Sequence, residues 1–366
     1  MKTKKEKYGL SKHLARFGTE EKCTDYLVDL KWDGRPKCHH CGNQHLNYFI
    51  TTRSIWKCSS CKKQFSVKKN TIFEDSKLPL TTWFKAMYFF TNFKRSLSSC
   101  QMAKLLEIEQ RTAWFLLHRL RAMLDENDSV LLSGIVEVDE TYIAPKSERD
   151  LRVQRAKQKH EKEQNEKYGY SAKRKTSIRK QLKSEPDGEA KLKEFNEQQK
   201  ELAKNGERTP FAPAIAVLGM YEREGDVVLI HLGRQYFDTR KKVIEPYVLQ
   251  HISPDAELVT DQSSFYSEVG KLFLRHHVVN HEVSFVNEEG ATTNGIENVW
   301  NHLKRMIFGT YFHLTLWHYQ RYLNEHAYRW NARNKNLREH FDGFIELVLN
   351  KRMKYRDLII DTKIAA

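Results

Sequence analysis

Gly134-Ile-Val-Glu-Val-Asp-Glu-Thr-Tyr-Ile143 is the stretch on which the fold turns. Its β-branched residues predict a strand pattern over 133–145, with Asp139 read as ending the part of strong β character. Residues 76–126, just before it, have apolar positions at helical spacing and almost no Gly or Pro, so they read as helices. After it, 146–210 carries 19 Lys+Arg against 12 Asp+Glu and few large apolar residues, the composition of a polar insertion, part helical and part disordered. Strand patterns resume at Phe211–Tyr221 and Asp226–Leu232, joined by the turn Glu222-Arg-Glu-Gly-Asp, which makes a hairpin. A helix near 240–251, a strand Glu257-Leu-Val-Thr-Asp261 and a mostly helical stretch over 294–350 complete the pattern. The fold class is α/β. The expected organisation is a helical segment (1–30), a cysteine-bearing module (31–75), a helical region (76–130), an α/β domain (131–310) and a helical tail (311–366).

Three acids stand out by their settings. Asp139 and Asp261 each end a predicted strand. Glu297 lies on the helix Asn294-Gly-Ile-Glu-Asn-Val-Trp-Asn-His-Leu-Lys-Arg305, whose Ile296, Val299, Trp300, Leu303 and Ile307 form one apolar stripe. Glu297 and Lys304, two turns apart, share the opposite side. Attack on a phosphodiester needs an activated water or 3′-hydroxyl and a stabilised leaving oxygen. Two Mg²⁺ ions (Mn²⁺ as substitute), roughly 3.5–4 Å apart, do both. Such hard cations take carboxylate oxygens and keep several waters, so Asp139, Asp261 and Glu297 suffice as ligands. Lys304 then holds a DNA phosphate as a point charge. Each acid also has a plainer reading, as a turn cap or a solvated helix face.

Cys38-His-His-Cys41 and Cys58-Ser-Ser-Cys61, 16 residues apart, have the spacing of a zinc ribbon that places four thiolates in a tetrahedron. A ribbon can bind DNA or brace its neighbour, and the sequence does not choose. Cys23 and Cys100 read as buried thiols. Between Ser96 and Arg121 two short helices, the first capped by Ser98 or Ser99, flank the turn Glu107-Ile-Glu. That is the spacing of a helix-turn-helix, with Gln110, Arg111 and Thr112 as base-contacting candidates; the alternative is a helical hairpin that is simply core.

A net charge of +15 favours a polyanionic partner, nucleic acid above all. No run of about 18 apolar residues is present, so no membrane span is expected. The basic start Met1-Lys-Thr-Lys-Lys leads into charged sequence without the apolar core of a signal peptide, so the expected location is cytoplasmic and nucleoid-associated.

Taken together, these motifs resemble the bacterial insertion-sequence transposases of the ISXO2-like family. The matching residues include both cysteine pairs, Asn70-Thr-Ile-Phe-Glu-Asp-Ser, Thr112-Ala-Trp-Phe, Val138-Asp-Glu-Thr-Tyr, Val279-Asn-His and Thr293-Asn-Gly-Ile-Glu-Asn-Val-Trp. Leu303-Lys-Arg, Gly309-Thr-Tyr and Tyr328-Arg-Trp-Asn-Ala-Arg match as well. The resemblance implies an RNase H-like domain, a mixed sheet flanked by helices, with an Asp–Asp–Glu triad of Asp139, Asp261 and Glu297 and the accompanying cation Lys304. It implies binding to double-stranded DNA at the element's terminal repeats, with Arg305 beside Lys304 at the phosphates. Nicking, strand transfer into target DNA and assembly as a homodimer or higher oligomer would follow. The insertion departs from the family pattern, Asn294 stands where it could share the role of Glu297, and His281 matches a position just before the helix. A non-catalytic DNA-binding regulator and a metal-dependent nuclease or resolvase are the rival readings.

Overall fold

Residues 8–124, 130–143, 215–233, 240–262, 266–279, 292–311, 314–349 and 351–353 are described in the computed structural model. Two compact units are distinguished: residues 1–142 with 216–366, and residues 143–215. The polar insertion 146–210 and His281 lie outside the described residues.

The quoted stretch forms strand β4 (Ile135–Ile143), after a zinc-ribbon sheet of β1 (Asn47–Ile50), β2 (Ile55–Cys58) and β3 (Gln64–Phe65). A hairpin of β5 (Ile215–Glu222) and β6 (Val227–Gly233) follows, and then β7 (Glu257–Asp261) and β8 (Arg275–Val279). Among the described residues these five strands make one sheet in the order β6-β5-β4-β7-β8. β5 and β6 are antiparallel, while β4–β7 and β7–β8 are parallel, so the sheet is mixed.

Side chains alternate across a strand, which divides β4 between two environments. Val136 and Val138 join Leu218, Met220, Val228, Ile230 and Leu258 in a core covered by α6 (Arg240–His251) and the short α7 (Tyr266–Val269). Glu137 and Asp139 point to the other face. There α8 (Asn294–Met306) packs, burying Ile296, Val299, Trp300 and Leu303 as its stripe predicts, with Ile307 buried just beyond it. Gly219 in β5 makes this approach possible, because a Cβ there would overlap the Trp300 ring and Ile296.

β6 is an edge strand, whose unpaired backbone groups need cover. α9 (Tyr319–Asn331) supplies it with two carboxamides three turns apart. Asn331 accepts from the Val227 N–H at 2.9 Å and donates to its carbonyl at 3.2 Å. Gln320 accepts from the His231 N–H and donates to the Leu229 carbonyl, both at 2.7 Å.

Around the ribbon, α1 (Leu10–Phe17), α2 (Glu20–Trp32), α3 (Leu80–Asn92), α4 (Ser99–Leu106) and α5 (Gln110–Ala122) build a second core. α10 (Leu337–Leu349) returns to this core with Phe341, Phe344, Ile345 and Val348. Arg16 and Tyr26 hold Asp342 of that helix at 2.8 and 2.9 Å.

One buried polar network joins the two halves. The Glu325 carboxylate of α9 pairs with Arg121 of α5 at 2.7 Å and with Arg329 at 2.8 Å. It also accepts from Ser96 and from the Tyr311 hydroxyl, the latter at 2.9 Å. Burial opposes its ionisation, but Arg121 and Arg329 outweigh that and hold the carboxyl down to about 2. Removing one partner of a buried pair strands the other charge, so Glu325→Ala should cost about 3–5 kcal/mol in denaturant unfolding. Because the folded value lies below the unfolded one of about 4.3, this stabilisation is complete above pH 4.3. It declines as pH falls toward 2, and Glu325→Ala should flatten that part of the acid-unfolding curve.

Candidate active site and metal centre

The two cysteine knuckles repeat the same backbone design. The Gly42 N–H bonds the Cys38 carbonyl at 2.8 Å, and the Lys62 N–H bonds the Cys58 carbonyl at 3.1 Å. Cys38 and Cys58 in turn donate their N–H groups to Asn43 and Lys63, each at 3.0 Å. Both turns need a residue at positive φ, met by Gly42 at 76° and Lys62 at 62°. The result draws the four sulfurs within 4.8 Å of one another, with Cys38–Cys61 at 3.7 Å and Cys41–Cys58 at 3.5 Å. A tetrahedral zinc with bonds of about 2.3 Å puts its sulfurs about 3.8 Å apart, so this donor set fits zinc. Asn43 braces the site, its carboxamide reaching the Cys58 sulfur at 3.6 Å, Ser59 at 3.1 Å and the Leu46 carbonyl at 3.2 Å. Burial works against a thiolate at Cys58, but N–H groups of Cys61 and Ser60 and the Asn43 carboxamide bring it down to about 6.

The ribbon does brace its neighbour. Trp56 and Phe65 lie against Trp32 of α2 with ring centroids 5.7 and 5.9 Å away. Its other side is exposed, with Tyr48 directly across from Lys57. From Gly34 to Phe73 the chain has eight Lys and Arg and no Asp or Glu. Cys23 is buried and its thiol is pushed up to about 12 by desolvation, whereas Cys100 is exposed, against expectation, because it faces outward from the first turn of α4.

Ser98, rather than Ser99, caps α4 through a reciprocal bond with Gln101. Glu107 adopts the left-handed conformation (φ 54°) that turns the chain into α5. On α5, Gln110 and Arg111 are exposed and Thr112 half-buried, while Leu116 to Arg121 are buried. Only its N-terminal turn therefore faces outward. Gln110 also donates to Ser99 at 2.7 Å, linking the two helix starts.

Asp139 sits at the centre of β4, not at its end, because Thr141 and Ile143 continue the buried alternation. Asp261 ends β7 as read from sequence. The parallel register pairs Glu137 with Val259; carried two residues on, it sets Asp139 beside Asp261. Glu297 occupies the first turn of α8, above the face that Asp139 shares. Trp300, one turn along, donates to Asp139 Oδ2 at 2.8 Å. Burial raises the Asp139 pKa, the Trp300 donor and the Glu140 N–H oppose this, and the charges of Asp261 and Glu297 raise it further. Asp261 and Glu297 are thus each in electrostatic reach of Asp139, and all three carboxylates are half-buried. Among the described residues only the four thiols gather to single-ion spacing. Asp139, Asp261 and Glu297 do not gather to that spacing. As carboxylates they are ligands of the hard-oxygen kind that Mg²⁺ takes. Lys304 is half-buried and Arg305 exposed near the end of α8, and Asn294 is exposed at its start.

The acids flanking Asp139 serve other ends. Glu140 accepts from the Tyr266 hydroxyl on the opposite face of the sheet. Glu137 is buried beneath the start of α8, where it accepts from the Ile296 N–H at 2.9 Å and from Arg223 at 3.0 Å. No local signal in the sequence marks Glu137 for this role, because both of its partners are distant along the chain.

Two family models match the chain. One, described as the ISXO2-like transposase domain, covers residues 188–331, and the other, the transposase zinc-ribbon domain, covers 18–64. The first includes Asp261, Glu297 and Lys304 and begins after Asp139; the second includes all four cysteines. A protein of Halobacterium salinarum described as an uncharacterized protein in transposable element ISH50 is 25% identical over 129 residues, 35% of this chain and 43% of the relative. The chain thus matches less than half the length of that relative. No solved structure matches.

Zinc ligands depend on the groups that orient them. Asn43→Ala should weaken zinc about 10–100-fold in competition with a chelator while leaving four cysteines able to bind it. Unchanged affinity would show that the carboxamide does not support the site.

Proposed function

We propose that this chain, which carries the ISXO2-like transposase domain and the transposase zinc ribbon, is a DNA transposase that cuts and rejoins strands at the ends of an insertion sequence. The observation that carries the proposal is that the charges of Asp261, at the end of β7, and Glu297, in the first turn of α8, both act on Asp139 of the neighbouring parallel strand β4. The sheet order, an antiparallel pair continued by parallel strands with helices on both faces, supports an RNase H-like reading of the domain.

In this mechanism Asp139, Asp261 and Glu297 hold the metal ions through carboxylate oxygens. When bound, Mg²⁺ or Mn²⁺ would supply the Lewis acidity that activates the attacking oxygen and stabilises the leaving one. Trp300 fixes the rotamer of Asp139 through its indole N–H, so that the carboxylate would be held ready to take a metal ion. Lys304 and Arg305 draw a DNA phosphate toward the same helix. The helix-turn-helix reads the element's terminal repeat with Gln110, Arg111 and Thr112. The carboxylate-free run around the zinc ribbon adds phosphate attraction that does not depend on sequence. Bringing two DNA ends together calls for a homodimer or higher oligomer. No helix among the described residues is long and apolar enough to cross a membrane.

Purified protein with Mg²⁺ and a duplex bearing the element's end should give strand-transfer products. Cleavage without transfer would favour a nuclease or resolvase, and binding without either a regulator. Asp139→Asn and Asp261→Asn should each abolish chemistry and leave duplex binding within about twofold; survival of activity in either would remove the triad assignment. Arg111→Ala should lower affinity for the terminal repeat by about 5–150-fold, the loss of about 1–3 kcal/mol typical of one base contact, and flatten discrimination against unrelated duplex.

A further inference from the structure

Of the groups clustered around the three acids, one buried ion pair has no part in holding metal or DNA. Glu137 is 2% exposed and its partner Arg223 30%. Glu137 lies two residues before Asp139 on the same face of β4. One carboxylate oxygen accepts from the Ile296 N–H, in the first turn of α8, and the other from Arg223 Nε. Arg223 stands in the β5–β6 turn. Its Nη2 donates to the Thr292 carbonyl at 3.0 Å, just ahead of the helix, and its backbone N–H to the Ile135 carbonyl at 3.0 Å. The start of α8 has no side-chain cap of its own at Thr293. Gly295 leaves the space this requires, since a Cβ there would stand 2.7 Å from Glu137 Oε2 and overlap the Tyr221 ring.

We infer that Glu137 and Arg223 are positioning residues that set the height and rotation of the first turn of α8, and so the placement of Glu297 relative to Asp139. A helix N-terminus exposes N–H donors and partial positive charge, and a carboxylate satisfies both. An ordinary cap comes from the residue that precedes the helix. This one comes from the strand that bears Asp139, so both ends of the contact belong to the triad's own framework. Glu297 is the residue next to Ile296, and any slip of that turn moves its carboxylate directly. Arg223 is chosen over lysine by geometry, since only a guanidinium reaches Glu137 and the Thr292 carbonyl from different nitrogens.

The inference rests on the metal-binding role of the three acids proposed above, and its test reads more than activity. Glu137→Gln keeps an oxygen for the Ile296 N–H but loses the charge, Glu137→Ala loses both, and Arg223→Lys keeps the charge but one contact at most. Hydrogen exchange of the 292–300 segment in the full chain should quicken in the order wild type, Glu137→Gln, Glu137→Ala, reaching tenfold or more. Calorimetric Mn²⁺ affinity should fall in the same order by about tenfold, and Arg223→Lys should behave like Glu137→Gln. Gly295→Ala, which leaves both charges in place, should reproduce the Mn²⁺ defect. Duplex binding should stay within twofold throughout. Variants that melt earlier but keep wild-type exchange in 292–300 and wild-type Mn²⁺ affinity would overturn the positioning role. If these trends hold while the wild-type chain joins no DNA, the positioning role stands and the transposase reading falls.

Discussion

A carboxylate buried under the start of a helix fixes the geometry on which the candidate site depends. Isolated in the interior, Glu137 would cost several kcal/mol. Here it meets a guanidinium, a backbone N–H and the positive end of α8 at once. Glycines at 219 and 295 remove the side chains that would otherwise hold α8 off the sheet. Trp300 then comes close enough to β5 and β4 to donate to Asp139. Strand and helix are each stiff, so contacts at both points leave Glu297 little freedom relative to the two aspartates.

The far end of α8 is tied as firmly, but to a different part of the molecule. Past Met306 the chain widens into a π-helical turn through Ile307–Tyr311, and the Tyr311 hydroxyl enters the network of Arg121, Glu325 and Ser96. Arg121 belongs to the helix whose first turn carries the base-contacting candidates. One helix therefore touches the candidate carboxylate site at its start and, through Tyr311 just past its end, the Arg121 of α5. The apolar core around the zinc ribbon extends the linkage, because α10 packs between elements from the opposite end of the chain.

Local pattern made much of this legible. Cysteine spacing, the apolar stripe of α8, the 222–226 turn and the acids on β7 and α8 are short-range signals, and each describes its element well. Asp139 reads as a strand end because the run of strong β character stops there, whereas Thr141 and Ile143 continue the strand. Cys100 read as buried from its residue type, but its position in the first turn of α4 exposes it. The roles of Glu137 and Arg223 were not legible. Their partners lie 159 and 69 residues away in the chain, and nothing near either residue announces a tertiary cap. The same holds for Glu325, which in sequence is one more acid four residues before an arginine.

The two carboxamides of α9 along β6 carry a consequence for assembly. By occupying the hydrogen-bonding groups of Val227, Leu229 and His231, Gln320 and Asn331 make that rim of the sheet chemically inert toward another strand. A second copy of the chain could not extend the sheet by strand pairing across this border.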